Sequence, residues 1–297
     1  MTLFNPKIAF ILLSVLSLQS CVENTDSTET GTTDTTGTEL NPNKSNIVSV
    51  GEAIFSIPSP VQTALLIESS GAGYDPSLPN SVQNLNNYIS DFDKGLLMGV
   101  YGADLAYNAI FEKNQEAISY LGAVEKLASD LDLENAVDRS IIKRFSQNLN
   151  NRDSMLVLSS TFFRASDAYL KENERTELAA LVLIGGWAEG MFLAYNSVES
   201  NGEVAERIAE QKMTIDNIVT LLGSLEPGDQ LTELTDQITE LQAEFNNINA
   251  TYEYQRPEVD TDNKTTTLKS KTSYEISDEQ FKVIGSKIES LRNNIVG

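Results

Sequence analysis

Leu178-Ala179-Ala180-Leu181-Val182-Leu183-Ile184-Gly185-Gly186-Trp187-Ala188-Glu189-Gly190-Met191-Phe192 is the stretch whose reading decides the fold. Large side chains recur at Leu178, Leu181, Val182, Ile184, Trp187, Met191, Phe192 and Tyr195. That is the three-and-four spacing of a helix, and the run is too long for a buried strand. Three glycines interrupt it, and each costs about 1 kcal/mol against alanine inside a helix. Their expected compensation is a neighbouring backbone that comes close where side chains are missing. Gly95, Gly99 and Gly102 pose the same question in a second helix, which carries Leu96, Leu97, Val100, Tyr101, Leu105 and Tyr107 and has Asp91 as its expected N-cap. The alternative is a pocket beside the glycines, lined by Tyr101, Tyr107 and Trp187, with Asp104 and Glu189 as its polar contacts.

Outward from these two helices the same period continues. Further helices are expected from about Asn114 to Leu131, Glu134 to Leu149, Asp153 through Tyr169, Gly202 to Leu225, Asp229 to Tyr252, and after a Ser277 cap to Val296. Pro58, Pro60, Pro76 and Pro79 punctuate the entry, so Gly51 to Ser69 is expected to form one or two short helices and Gly71 to Asn80 a loop. Arg256 to Tyr274, rich in Thr and Lys, reads as a long exposed loop with room for a short hairpin. Tyr252, Tyr254 and Tyr274 flank it as candidates for an exposed contact surface. The fold class is therefore all-α: an irregular antiparallel bundle of about eight to nine helices, without a fixed repeat, over residues 46–297.

The chemistry available to this bundle is narrow. Histidine is absent, which removes the commonest general base and transition-metal ligand. Ser-His-Asp and Cys-His catalysis are excluded with it, and no metal or other cofactor is expected. Acids outnumber bases 43 to 21, the opposite of a nucleic-acid-binding surface. Asp91-Phe92-Asp93 and Asp260-Thr261-Asp262 only loosely resemble calcium loops and lack the remaining ligands. Asp104 and Glu189 interrupt apolar faces. If buried they must be paired or protonated. Arg139, Arg144, Arg152 and Arg164 are the candidate partners, and a structural pair is favoured over a carboxylate dyad.

The N-terminal region supplies an address. Lys7 precedes the apolar run Ile8 to Leu18, followed by Leu18-Gln19-Ser20-Cys21. Residues 1–20 thus read as a secretory signal, too short to span a bilayer comfortably. Cys21, the only cysteine, stands where lipidation occurs, and the tetrapeptide resembles the lipobox of bacterial lipoproteins. Acyl chains on Cys21 give stable attachment at about 0.8 kcal/mol per buried CH₂. Residues 21–45 carry almost nothing apolar and read as a disordered tether.

Tyr101-Gly102-Ala103-Asp104-Leu105-Ala106-Tyr107, Asn151-Arg152-Asp153-Ser154 and Ala179 through Gly190 resemble a family of α-helical lipoproteins from Bacteroidota. The resemblance covers residues 90–200 or so. It implies a helical fold, an envelope location and a central unit that unites the glycine-bearing helices with Asp104 and Glu189. No catalytic residue carries over. The expected protein is an outer-membrane lipoprotein, anchored through Cys21 on the periplasmic face or the cell surface, that binds or scaffolds an envelope protein partner without catalysis. The alternatives are a carboxylate-dependent enzyme acting on glycan or peptidoglycan, and a carrier of a small apolar ligand.

Overall fold

A computed structural model describes residues 46–50, 53–133, 175–198, 202–260 and 265–297, with a few positions between 143 and 157. The expected signal, tether and Cys21 lie outside the described residues. So do most of the helices expected from Glu134 to Leu149 and from Asp153 onward.

Two helices form the centre: α2 (Asp91–Ile110) and the helix of the opening stretch, α4 (Thr176–Asn196). Every residue of α2 from Gly95 to Ile110 is buried. The glycines meet backbone to backbone. A Cβ on Gly99 would land on the Val182 carbonyl and the Gly186 amide nitrogen, and one on Gly185 would land on the Leu96 carbonyl. Close packing is thus the compensation for these glycines, and the expected pocket beside them is filled by the facing helix. By length and composition α4 could cross a membrane, with a mean hydropathy of 1.6 over its best window. That window is 72% buried inside the protein, so here α4 is a core helix.

The other helices surround this pair. α1 (Pro60–Ser69) packs on both central helices, and α3 (Asn114–Asp130) packs on α2. α5 (Glu203–Glu210) and α6 (Lys212–Leu222) follow α4, then α7 (Asp229–Asn246) packs on α6. α8 (Asp278–Val296) closes the bundle against α4 and α7. Local chemistry sets the ends. Ser59 with Gln62, and Ser277 with Gln280, form reciprocal capping boxes. Ser90, one residue before the expected Asp91, caps α2 by accepting from the Asp93 amide at 3.0 Å. Just past the ends of α2 and α3 stand Glu112 and Asp132, both left-handed at φ 58°. In each, the next amide returns to the helix: Lys113 N to Asn108 O, and Leu133 N to Ala128 O.

The mainly helical bundle carries more strand than the short hairpin for which residues 256–274 left room. β1 (Asn46–Val50) and β2 (Ala53–Ile57) form an antiparallel hairpin where part of a short helix was expected. Apart from Ala53 the apolar residues there are β-branched or aromatic, and only Gly51-Glu52 separates the runs, which is a hairpin pattern. The expected loop near 256–274 is a two-part β-ribbon. β3 (Asn249–Glu253) pairs with β6 (Lys271–Glu275), and β4 (Glu258–Asp260) with β5 (Thr265–Thr267). Consequently α7 stops at Asn246, short of the expected Tyr252. The single helix expected over 202–225 is divided at Gln211.

Candidate functional site

The polar centre of the bundle is built from three helices and one loop. Asp104 comes from α2, Glu189 from α4 and Arg292 from α8. Both carboxyls are 0% exposed. Arg292 donates to Glu189 twice, Nε to Oε2 at 2.9 Å and Nη2 to Oε1 at 3.2 Å, and its guanidinium lies 4.5 Å from the centre of the Phe192 ring. The expected arginine partners are thereby corrected. Arg144 is exposed, while Arg139, Arg152 and Arg164 lie outside the described residues. A signal for Arg292 existed: it falls on the apolar stripe of α8 with Phe281, Ile284, Ile288, Leu291 and Ile295.

Among the described residues no arginine hydrogen-bonds Asp104, although the Arg292 charge acts on it from beside Glu189. Asp104 Oδ2 accepts from the Asn80 amide at 3.0 Å, and no donor reaches its Oδ1. The Glu189 carboxyl stands within hydrogen-bonding reach. Two facing carboxylates with no donor between them repel, so one of the two must hold a proton. Burial first, and the adjacent Glu189 charge second, push Asp104 well above the usual carboxylate range. Burial also raises Glu189, but Arg292 opposes that rise. Asp104 is therefore the acid that donates, and Glu189 the carboxylate that accepts.

This centre holds down the loop from Tyr74 to Ser90, which includes a 3-10 turn over Val82–Asn87. Besides Asp104, four groups grip it. Arg292 Nη2 donates to Leu78 O at 3.3 Å, Tyr120 OH to Asn80 O at 3.0 Å, and Tyr101 OH to Ser81 O at 2.9 Å. Tyr107 OH accepts from the Asp75 amide at 3.0 Å. Tyr88, from the loop itself, donates to Val296 O at 2.6 Å. Burial raises the phenols of Tyr101, Tyr107 and Tyr120, so they stay protonated. Tyr101 and Tyr107 were expected at a pocket and are instead fully buried clasps. Trp187 is a core residue whose Nε1 donates to Gln211 Oε1 at 3.4 Å, at the α5–α6 break. Asn80, Tyr88, Tyr120 and Arg292 were not foreseen as members. Asn80 had no distinguishing signal beyond following Pro79.

A separate cleft of about 810 Å³ opens between α1, α4, α5 and α6. Leu66, Met191 and Ile208 give it apolar wall, and Arg207, Gln211 and Thr214 give it polar wall. Among the described residues, no cluster of three acidic or thiol side chains could hold a metal ion. Asp91 and Asp93 occupy the first turn of α2, favourable to its positive end. No family model, curated protein or solved structure matches the chain.

Proposed function

We propose that this chain is an outer-membrane lipoprotein, anchored through Cys21, whose helical body binds an envelope protein partner without catalysing a reaction. The observation that carries the non-catalytic part is the use of the polar centre. Asp104 and Glu189 are wholly buried; Arg292 donates to Glu189 and the Asn80 amide donates to Asp104. These contacts give both carboxyls a positioning role, pinning a loop across three helices. The anchor reading rests on the apolar run, the single cysteine and the polar segment after it.

Cys21→Ser tests the anchor: the variant is expected to lose palmitate labelling and leave the membrane fraction, and continued acylation of it overturns the reading. Incubation of the full chain with purified peptidoglycan is expected to release no soluble fragments. Release abolished by Glu189→Gln would establish the carboxylate enzyme instead. The cleft between α1, α4, α5 and α6 favours one second reading, a carrier of a small amphipathic ligand. Saturable uptake of a fluorescent amphiphile, lost in Leu66→Lys, would establish it.

A further inference from the structure

The β-ribbon is the part of this molecule that its own fold leaves unfinished. Every residue of β3 and β5 is exposed, and in β6 only Tyr274 is partly covered. A two-stranded ribbon is marginal by itself. β6 lies against α5, but β3 has β6 as its single strand neighbour, leaving its other edge without a strand among the described residues. Proteins usually blunt such an edge with lysine, proline or a bulge. β3, Asn249-Ala250-Thr251-Tyr252-Glu253, has neither residue, and its register with β6 runs one to one without a bulge.

The two faces of the ribbon differ. Alternate residues share a face, and directly paired residues share it too. Ala250 pairs with Tyr274 and Tyr252 with Thr272, so Tyr252 and Tyr274 share one face, and Tyr254 follows just past the end of β3. Tyr252 and Tyr254 are 64% and 69% exposed, while Tyr274 roots the shared face against the helical core. The other face presents Asn249, Thr251 and Glu253 with their cross-strand partners Glu275, Ser273 and Lys271, two carboxylates against one ammonium, so its charge is acidic, as is that of the chain, net −22.

From this we infer that the free edge of β3 takes up an extended basic segment of a partner protein as an added strand. Alternate apolar side chains of that segment lie on the face of Tyr252, and its lysines or arginines lie on the face of Glu253. Main-chain hydrogen bonds to the edge supply the pairing and the alternating side chains supply selectivity. Charge favours a basic occupant over a second copy, since two chains of net −22 repel. The inference rests on the binding reading above and adds to it a surface and a partner chemistry.

The test uses the full chain in detergent and a short fluorescent peptide of alternating valine and lysine, followed by anisotropy. Saturable binding is expected, weakened by salt and reduced at least tenfold in Tyr252→Ser/Tyr254→Ser, whose unchanged circular dichroism verifies the fold. The valine–glutamate counterpart is expected not to bind. Peptides N-methylated on all valines or on all lysines separate strand pairing from mere attraction of a polycation. Blocking one set abolishes binding and blocking the other leaves it. Equal effects of the two methylation patterns overturn the inference, as do equal binding of the acidic peptide or a chain that dimerises through the tyrosine face. Failure here with Cys21-dependent anchoring intact removes the ribbon assignment alone.

Discussion

Arg292 reaches Glu189 across 103 residues of chain and holds it by two parallel hydrogen bonds in the buried centre of the bundle. Such a pair adds little net stability by existing, because both charges lose water, but breaking it on one side leaves an uncompensated buried charge. Arg292→Met is therefore expected to lower unfolding free energy by about 3 kcal/mol, the lower end of that range, because Arg292 retains some solvent contact. Adding Glu189→Gln to this variant should restore part of the loss. Urea denaturation of the single and double variants measures the coupling.

Asp104 makes stability depend on pH in an unusual direction for an acid. Its carboxyl is raised in the folded chain, so between the ordinary value of 3.8 and the raised one the folded state holds a proton that the unfolded state has released. Stability is fully present below 3.8 and is lost as pH rises through the folded value, at about 1.4 kcal/mol per pH unit. Asp104→Asn keeps a donor toward Glu189 and an acceptor for Asn80, and removes the titration. Its unfolding midpoint is expected to exceed that of the parent at pH 8, with the difference shrinking toward pH 5. A variant less stable than the parent at every pH would show that Asp104 is the charged partner.

The glycines divide into two kinds. Gly99→Ala and Gly185→Ala drive a methyl into facing backbone, which cannot swing aside, and each is expected to cost at least 1–3 kcal/mol, roughly the overpacking range. Gly122 lies on the exposed side of α3, where an added Cβ meets nothing within 4 Å. Gly122→Ala should stabilise by about 0.5–1 kcal/mol through helix propensity alone. Thermal melts of the three variants compare them directly.

Tyr120→Phe removes a single hydroxyl and leaves the Asn80 carbonyl without that donor in a buried site. A loss of about 1–2 kcal/mol is expected. The structural claim is sharper than the energy: amide hydrogen exchange should rise in the loop of residues 74–90 more than in α2. Tyr101→Phe, which frees Ser81 O, should produce the same pattern. Uniform acceleration across the bundle would show that the phenols do not clasp this loop.

What the sequence made legible follows from the range of each signal. The helical period runs within one element, so α2, α3, α4 and α8 were readable, down to the Ser277 cap. Glycines inside apolar helices announced the close contact, since little else compensates their cost. The strands were harder. β3 and β6 are short, polar and separated by more than a dozen residues, so a threonine- and tyrosine-rich run reads equally well as loop. Asp104 and Glu189 stood out because each breaks an apolar face. Arg292 did the same on α8, but pairing it with Glu189 requires knowing which helices meet. Asn80 could not be read at all, since a loop asparagine acquires its role only from the groups that fold around it.

The loop clasp has a consequence in time. Leu78 and Tyr88 are fastened by groups more than 200 residues later: Arg292 lies 214 residues beyond Leu78, and Val296 lies 208 beyond Tyr88. A chain that emerges N-terminal end first can wind α2 and lay α4 upon it. Until α8 arrives, however, the Glu189 charge lacks its countercharge and the loop lacks its last fastening. The fold thus has a built-in order of assembly, in which the final helix acts as a latch. A chain cut short before Arg292 would not be a slightly smaller version of this protein, but one halted at its penultimate step.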